Sequence, residues 1–368
     1  MIIANPTQEN IVTYVRSLSL GEGETLMLLF AEHNCPQMEP LFEALNALDI
    51  AFFGGIFPGI ISGNQRFEEG VIIKVWNDAT QPFLIKGLDE KGWDFPYLLP
   101  HIQSGKTLML TLVDGLTTNI ADFLISLYHI AGNSARYFGG GAGSLSLKQM
   151  PCVFTNEGVF QDAAIICLVN QEVRLGVKHG WQKVAGPLVA TRTDKNVIHE
   201  LNWQPAFEVY KGIVEEDSGR TFMEDNFFDI AKGFPFGIFK ENQEDIVRDP
   251  IAKSETGALI CVGEVPENTV LNILKGESEA LIHSAAEAAL GSSDKEKVLK
   301  DVFVVDCISR VLFLEERFPQ ELQAIRDGLG EPGKDIVPEG ILSLGEISSY
   351  SDGLLEFFNK TIVVGSLY

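Results

Sequence analysis

The apolar and polar positions of the first half fall into an order that occurs twice. The run "TLMLLF" (Thr25 to Phe30) is apolar almost throughout, and Met38, Leu41, Phe42, Leu45 and Leu48 follow at the three- and four-residue spacing of an amphipathic helix. Next come "IAFFGG" (Ile50 to Gly55) and "GVIIKV". The order recurs in "TLMLTL" (Thr107 to Leu112), a helical stripe of Ile120, Phe123, Leu124, Leu127 and Ala131, then "ARYFGG" (Ala135 to Gly140) and "AAIICLV". Each unit predicts strand, helix, strand, glycine turn, strand, so the first half reads as an internal duplication of that unit. The sequence "YFGGGAGSLSL" (Tyr137 to Leu147) extends the second glycine turn, which marks Gly139, Gly140 and Gly141 as the rim of a ligand pocket or as a close approach of two backbones.

Further on, Lys195-Asn196 between alternating runs predicts a hairpin, and "QPAFEVYKGIV" a helix starting near Pro205. A polar segment, Glu215 to Asp225, follows and sets a boundary between residues 1–220 and 221–368. The second part holds "ALICVG", a helix from Glu277 to Leu290, "DVFVVDCISRVLFL" and the closing strand "KTIVVGSLY". The predicted class is α/β: two lobes, mixed sheets and flanking helices.

Composition narrows the function. At 368 residues and 45 % hydrophobic the chain can build two cored domains, and a net charge of −23 opposes binding to nucleic acid or to an anionic membrane surface. The start lacks a basic region ahead of an apolar run, and no later stretch has the ~20 apolar residues of a membrane span, so a cytoplasmic protein is expected. Five dispersed cysteines without a CxxC pair argue against a disulfide frame or a structural zinc site.

Candidate chemistry is sparse. The glycine loop lacks the Gly-Lys-Ser/Thr of a phosphate loop. Cys307, with Arg310 three residues on, is a candidate nucleophile for a cysteine-dependent enzyme; the structural alternative is a buried thiol with Arg310 ion-paired to Glu346, Glu315 or an acidic ligand. Glu346 in "SLGEIS" and Asn359 in "NKT", with arginines nearby, would suit a zwitterion such as an amino acid. Six dispersed histidines match no metal motif, which leaves His33 and His179 as candidate axial ligands of a haem b.

"FFGGIFPGII", "RYFGGGAGSLSL", "VFTNEGVFQDAAIICLV" and "GVKHGWQKVAG" resemble the FIST N-terminal domain, and "GIFKENQEDIVRDPI", "VVDCISR", "SLGEIS" and "NKTIVVG" the FIST C-terminal domain. The resemblance runs from about Thr25 to Gly365. It implies a non-enzymatic sensory protein that binds a small ligand, with amino acids among the expected ligands, and that regulates a separate signalling partner. Within the family the alternative is a haem-containing nitric-oxide sensor acting on a histidine kinase. The resemblance also marks Arg248 in "VRDP", together with Cys307, Arg310, Glu346 and Asn359, as recurring polar positions. A ligand-binding set of Gly139, Gly140, Gly141, Arg248, Cys307, Arg310, Glu346 and Asn359 follows, with the oligomeric state left open.

Overall fold

The computed structural model describes residues 1–90, 92–241, 243–349 and 354–368. Three mixed sheets each contain one parallel pair joined through helix. In the first, Glu24–Ala31 runs parallel to Ala51–Phe57 by way of the helix Met38–Asn46, with Val71–Asn77 antiparallel on the other side. In the second, Thr107–Asp114 runs parallel to Ala135–Ala142 by way of Ile120–Ala131, with Ala163–Asn170 antiparallel beside it. In the third, Asp301–Cys307 runs parallel to Glu339–Ser343 by way of Ile308–Leu314 and Phe318–Leu329.

The strands are apolar without alternation because both of their faces are buried. Leu26, Leu28 and Phe30 pack under the helices of the first sheet, whereas Met27, Leu29 and Ala31 point into a common core. Leu108, Leu110 and Leu112 of the second sheet enter that same core, as do Phe303 and Val305 of the third; Val302 and Val304 turn outward to helices. Three sheets therefore share one interior, with helices outside. At ~25 cal/mol per Å² of apolar area, this shared interior is the main stabilising term.

A fourth sheet is curled. Gln182–Asp194, Val270–Lys275, Phe236–Ile238, Ile246–Lys253, Leu259–Val262 and Val197–Leu201 pair in that order, and pairing of the last with the first closes a barrel. Its interior is filled by Tyr210, Phe207 and Val214 of the helix Ala206–Ser218 and by Ile230 of Phe227–Ala231. The hairpin at Lys195-Asn196 and the helix after Pro205 are as expected.

Segments from both halves of the chain interleave. Gly59–Ser62 and Val173–Lys178 join the third sheet, against Glu339–Ser343 and Ile362–Leu367, while Glu346–Ser349 and Leu355–Phe358 join the second. The expected 220/221 boundary falls between the two helices that fill the barrel. No helix among the described residues is long and apolar enough to cross a membrane.

One expectation needs correction. Gly54-Gly55 and Gly139-Gly140-Gly141 do not form turns: they lie inside the strands Ala51–Phe57 and Ala135–Ala142. A Cβ at Gly139 would fall on the carbonyl oxygen of Thr111, its register partner, and one at Gly54 on that of Leu28. A Cβ at Gly140 would come 3.0 Å from Val305 Cγ1 and 3.1 Å from Ser343 Cβ, both in the third sheet. These glycines are required by backbone approach within one sheet and between two. Gly139→Ala should cost about 3 kcal/mol or more, the upper end of overpacking penalties because the obstacle is backbone; a denaturant midpoint equal to wild type would contradict the packing argument.

Candidate functional site

Three consecutive residues hold the polar interior together. Asn359, Lys360 and Thr361 form the turn between the Leu355–Phe358 and Ile362–Leu367 strands and are all buried. Asn359 Oδ1 accepts from Arg248 Nη1 at 3.4 Å. Lys360 Nζ lies 3.1 Å from Asp249 Oδ2, and both side chains are buried. Lys360's carbonyl accepts from Trp181 Nε1 at 3.0 Å and from Arg310 Nη1 at 3.3 Å. The backbone N–H of Thr361 donates to Glu346 Oε2 at 3.2 Å. The turn thus joins the barrel, which carries Arg248 and Asp249, to the helix that carries Arg310 and to the second sheet, which carries Glu346.

Arg310 is saturated. Its Nε and Nη2 form a fork on Glu321 at 2.8 and 2.9 Å, Nη1 donates to the carbonyl of His179 at 2.6 Å, and Nη2 reaches the carbonyl of Leu281 at 3.0 Å. Asp306 lies 3.4 Å from its Nε. All five N–H groups of a guanidinium are thereby used. Arg310 has no donor left for a ligand, and its partners are Glu321 and Asp306, not the expected Glu346 or Glu315. Glu315 pairs instead with Lys232 at 2.7 Å.

Glu346 is also sealed in. Ser343 Oγ donates to its Oε1 at 2.6 Å, and the Cys307 thiol hydrogen-bonds to it. Burial pushes the Glu346 carboxyl up to about 8, a shift only partly opposed by Ser343, Thr361, Cys307 and Arg310. Burial, reinforced by the Glu346 charge, raises the Cys307 thiol well above its ordinary value. A thiol held protonated is a poor nucleophile, and the group beside it is a carboxylate in need of a proton.

Arg248 differs from Arg310. It is 5 % exposed, its Nε donates to the carbonyl of Glu264 at 2.7 Å, and Nη1 donates to the carbonyls of Val247 at 2.9 Å and Phe357 at 3.1 Å. Among the described residues no carboxylate oxygen lies within 4.0 Å of it, and its Nη2 has no hydrogen-bond partner. Burial therefore lowers its pKa, offset in part by the more distant Glu356, by Cys261 and by Glu264.

This buried cation lines a cleft of about 200 Å³ between the barrel and the segment Gly115–Ala121. That segment leaves the C-terminal end of Thr107–Asp114 and enters the helix Ile120–Ala131, the end of an α/β unit where ligands commonly bind. Thr118, Asn119, Ile120 and Ala121 line the cleft at the helix N-terminus, opposite Lys195 and Glu264. Gly141 lies behind this wall: a Cβ there would sit 2.8 Å from Gly115 Cα, so its role is to let the wall pack.

A second compartment of about 130 Å³ adjoins the first, with Leu116, Leu147, Ile251 and Val262 common to both. Cys307, Asn359 and Asp249 line it together with apolar side chains. Of the expected ligand set, then, Arg248, Cys307 and Asn359 border the cleft. Gly139, Gly140, Gly141, Arg310 and Glu346 lie behind it. Sequence reasoning missed the Gly115–Ala121 wall, Asp249 and Lys360; the last two stand inside the singled-out "VRDP" and "NKT", where their charge was the available signal.

The two haem candidates stand apart from the cleft. His33 is exposed. His179 is buried, its Nδ1 accepts from the Trp181 N–H at 2.8 Å, and burial lowers its pKa. Neither borders the cleft, and no cluster of three or more His, Cys, Asp or Glu suited to a metal occurs among the described residues.

Two outcomes follow from the buried groups. Glu346 binds its proton more tightly folded than unfolded, so its contribution is full below about pH 4.5 and lost as pH rises through about 8. Stability should fall across that window by up to ~1.4 kcal/mol per pH unit for this proton, and Glu346→Gln should flatten the slope in pH-dependent denaturant melts; an unchanged slope would refute the assignment. Cys307 should resist iodoacetamide at pH 7.5 in the folded protein, with modification of half-exposed Cys35 preceding it by mass spectrometry; preferential labelling of Cys307 would revive a nucleophile.

No curated protein matches the chain. Two family models do, one for the FIST N domain over residues 25–204 and one for the FIST C domain over residues 206–349. FIST domains are sensory domains of signal-transduction proteins. The succession of motifs, the mixed α/β sheets and these two matches, which together span nearly the whole chain, make this protein a member of the FIST family.

Proposed function

We propose that this protein senses a small organic carboxylate, in the simplest case an amino acid, through Arg248, and passes its occupancy to a signalling partner. The observation that carries the reading is a buried guanidinium that, among the described residues, has no counter-ion and no partner on Nη2, in the wall of a cleft. A buried cation in this state is costly, and an anionic ligand that satisfies it recovers the cost as affinity. The N-terminus of Ile120–Ala131 and Lys195 on the same cleft add positive potential. Glu264 supplies a carboxylate for an ammonium group. Because the cleft lies between the barrel and the second sheet, a ligand touching both walls would favour one relative placement of the two. Such a differential contact is what a sensor needs.

Binding is to be followed by titration calorimetry over a panel of amino acids, keto acids and simple carboxylates. Arg248→Lys should weaken binding by tenfold to a hundredfold, the range for a charge-assisted hydrogen bond. Lys195→Ala, at an exposed position, should weaken it by about two- to fivefold and more so at low salt. Binding that ignores both changes, or no binding across the panel, would refute the proposal.

A further inference from the structure

The first compartment explains how a carboxylate is held, but not which carboxylate. The second is different in chemistry. Apart from Cys307, Ser309, Asp249 and Asn359, its lining is wholly apolar. An apolar cavity of about 150 Å³ holds one benzene, so about 130 Å³ takes a branched aliphatic group or a small ring.

The contact between Arg248 and Asn359 fixes which end of a ligand lies where. Asn359 lines this compartment and Arg248 the first. Asn359 Oδ1 accepts from Arg248 Nη1 at 3.4 Å, so the two compartments meet at this pair. A ligand whose carboxylate is held by Arg248 has its polar end at this junction. Its remaining atoms then have the apolar lining as their surroundings.

The geometry points to a ligand that is an amphipathic acid: a carboxylate on Arg248, with an apolar side group of leucine or phenylalanine size in the compartment between Leu116, Phe228, Leu312 and Leu344. The inference rests on the carboxylate reading of the same cleft and adds its specificity. Acidic and very small acids are disfavoured, the first by burial of a second charge beside Asp249 and the second by an unfilled apolar space. Leu145 and Leu147 line this space while still 42 % and 44 % exposed, so an apolar ligand gains by covering them.

The test uses the full chain and calorimetric titration with L-leucine, L-phenylalanine, L-alanine and L-glutamate, and with 4-methylpentanoate against propanoate. At ~0.8 kcal/mol for each buried CH₂, the larger apolar member of each pair should bind at least about tenfold more tightly than alanine, glutamate or propanoate. Leu312→Trp and Phe228→Trp, at half-buried positions on the compartment's edge, should each reduce that preference to about threefold or less. Leucine should also slow alkylation of Cys307 under mildly destabilising urea more than alanine does. If small and acidic ligands bind as tightly as leucine while Arg248→Lys still weakens them, the apolar compartment is not used and only this inference falls. If none of the six binds, the carboxylate reading falls and this inference with it.

Discussion

The buried ion pair between Lys360 and Asp249 is the constraint on which the rest of the site depends. Removing two charges from water is expensive, and a pair this deep persists only when each partner is further satisfied. Here Ser309 donates to Asp249 at 2.9 Å and the Lys360 ammonium donates to the carbonyl of Lys232 at 2.9 Å. Neither residue can move without stranding the other. The pair therefore locks the barrel strand that carries Asp249 onto the turn that closes the third sheet, and fixes on one side the neighbour of Asp249, Arg248, and on the other the neighbour of Lys360, Asn359.

That lock accounts for the contrast between the two buried arginines. Arg310 is a clamp: Glu321 and the carbonyls of His179, Leu281 and Lys360 consume every donor, so it fixes architecture. Arg248 is held by backbone carbonyls, which orient a guanidinium without neutralising it. Among the described residues the same fold thus contains one arginine paired with carboxylates and one without such a partner, the one proposed to bind the ligand. The distinction lies in the partners and not in depth, since both are buried.

Much of the scaffold was legible in the sequence because it rests on local periodicity. The apolar runs at Thr25 and Thr107, the helical stripes after them and the hairpin at Lys195-Asn196 all appear where the pattern puts them. The barrel itself was not legible, because pairing of Gln182–Asp194 with Val270–Lys275 is a long-range contact with no local signature. The triple glycine misled for a physical reason: a glycine that frees the backbone for a turn and one that makes room for a neighbouring carbonyl are identical in sequence. Lys360 was overlooked because lysine ordinarily signals a solvated surface, and Glu321 because nothing in a helical "PQELQ" reveals a buried arginine opposite. Arg248, Cys307 and Asn359 emerged only because their motifs were already singled out.

The central claim is that Arg248, buried and without a carboxylate partner among the described residues, binds a ligand carboxylate beside an apolar compartment. A crystal structure of the protein soaked with free L-selenomethionine tests it most directly, because anomalous scattering locates the ligand's selenium independently of the protein. The account predicts a selenium peak between Phe228, Leu312 and Leu344, with the ligand carboxylate within hydrogen-bond distance of Arg248. A selenium peak elsewhere, or a carboxylate turned away from Arg248, would contradict it.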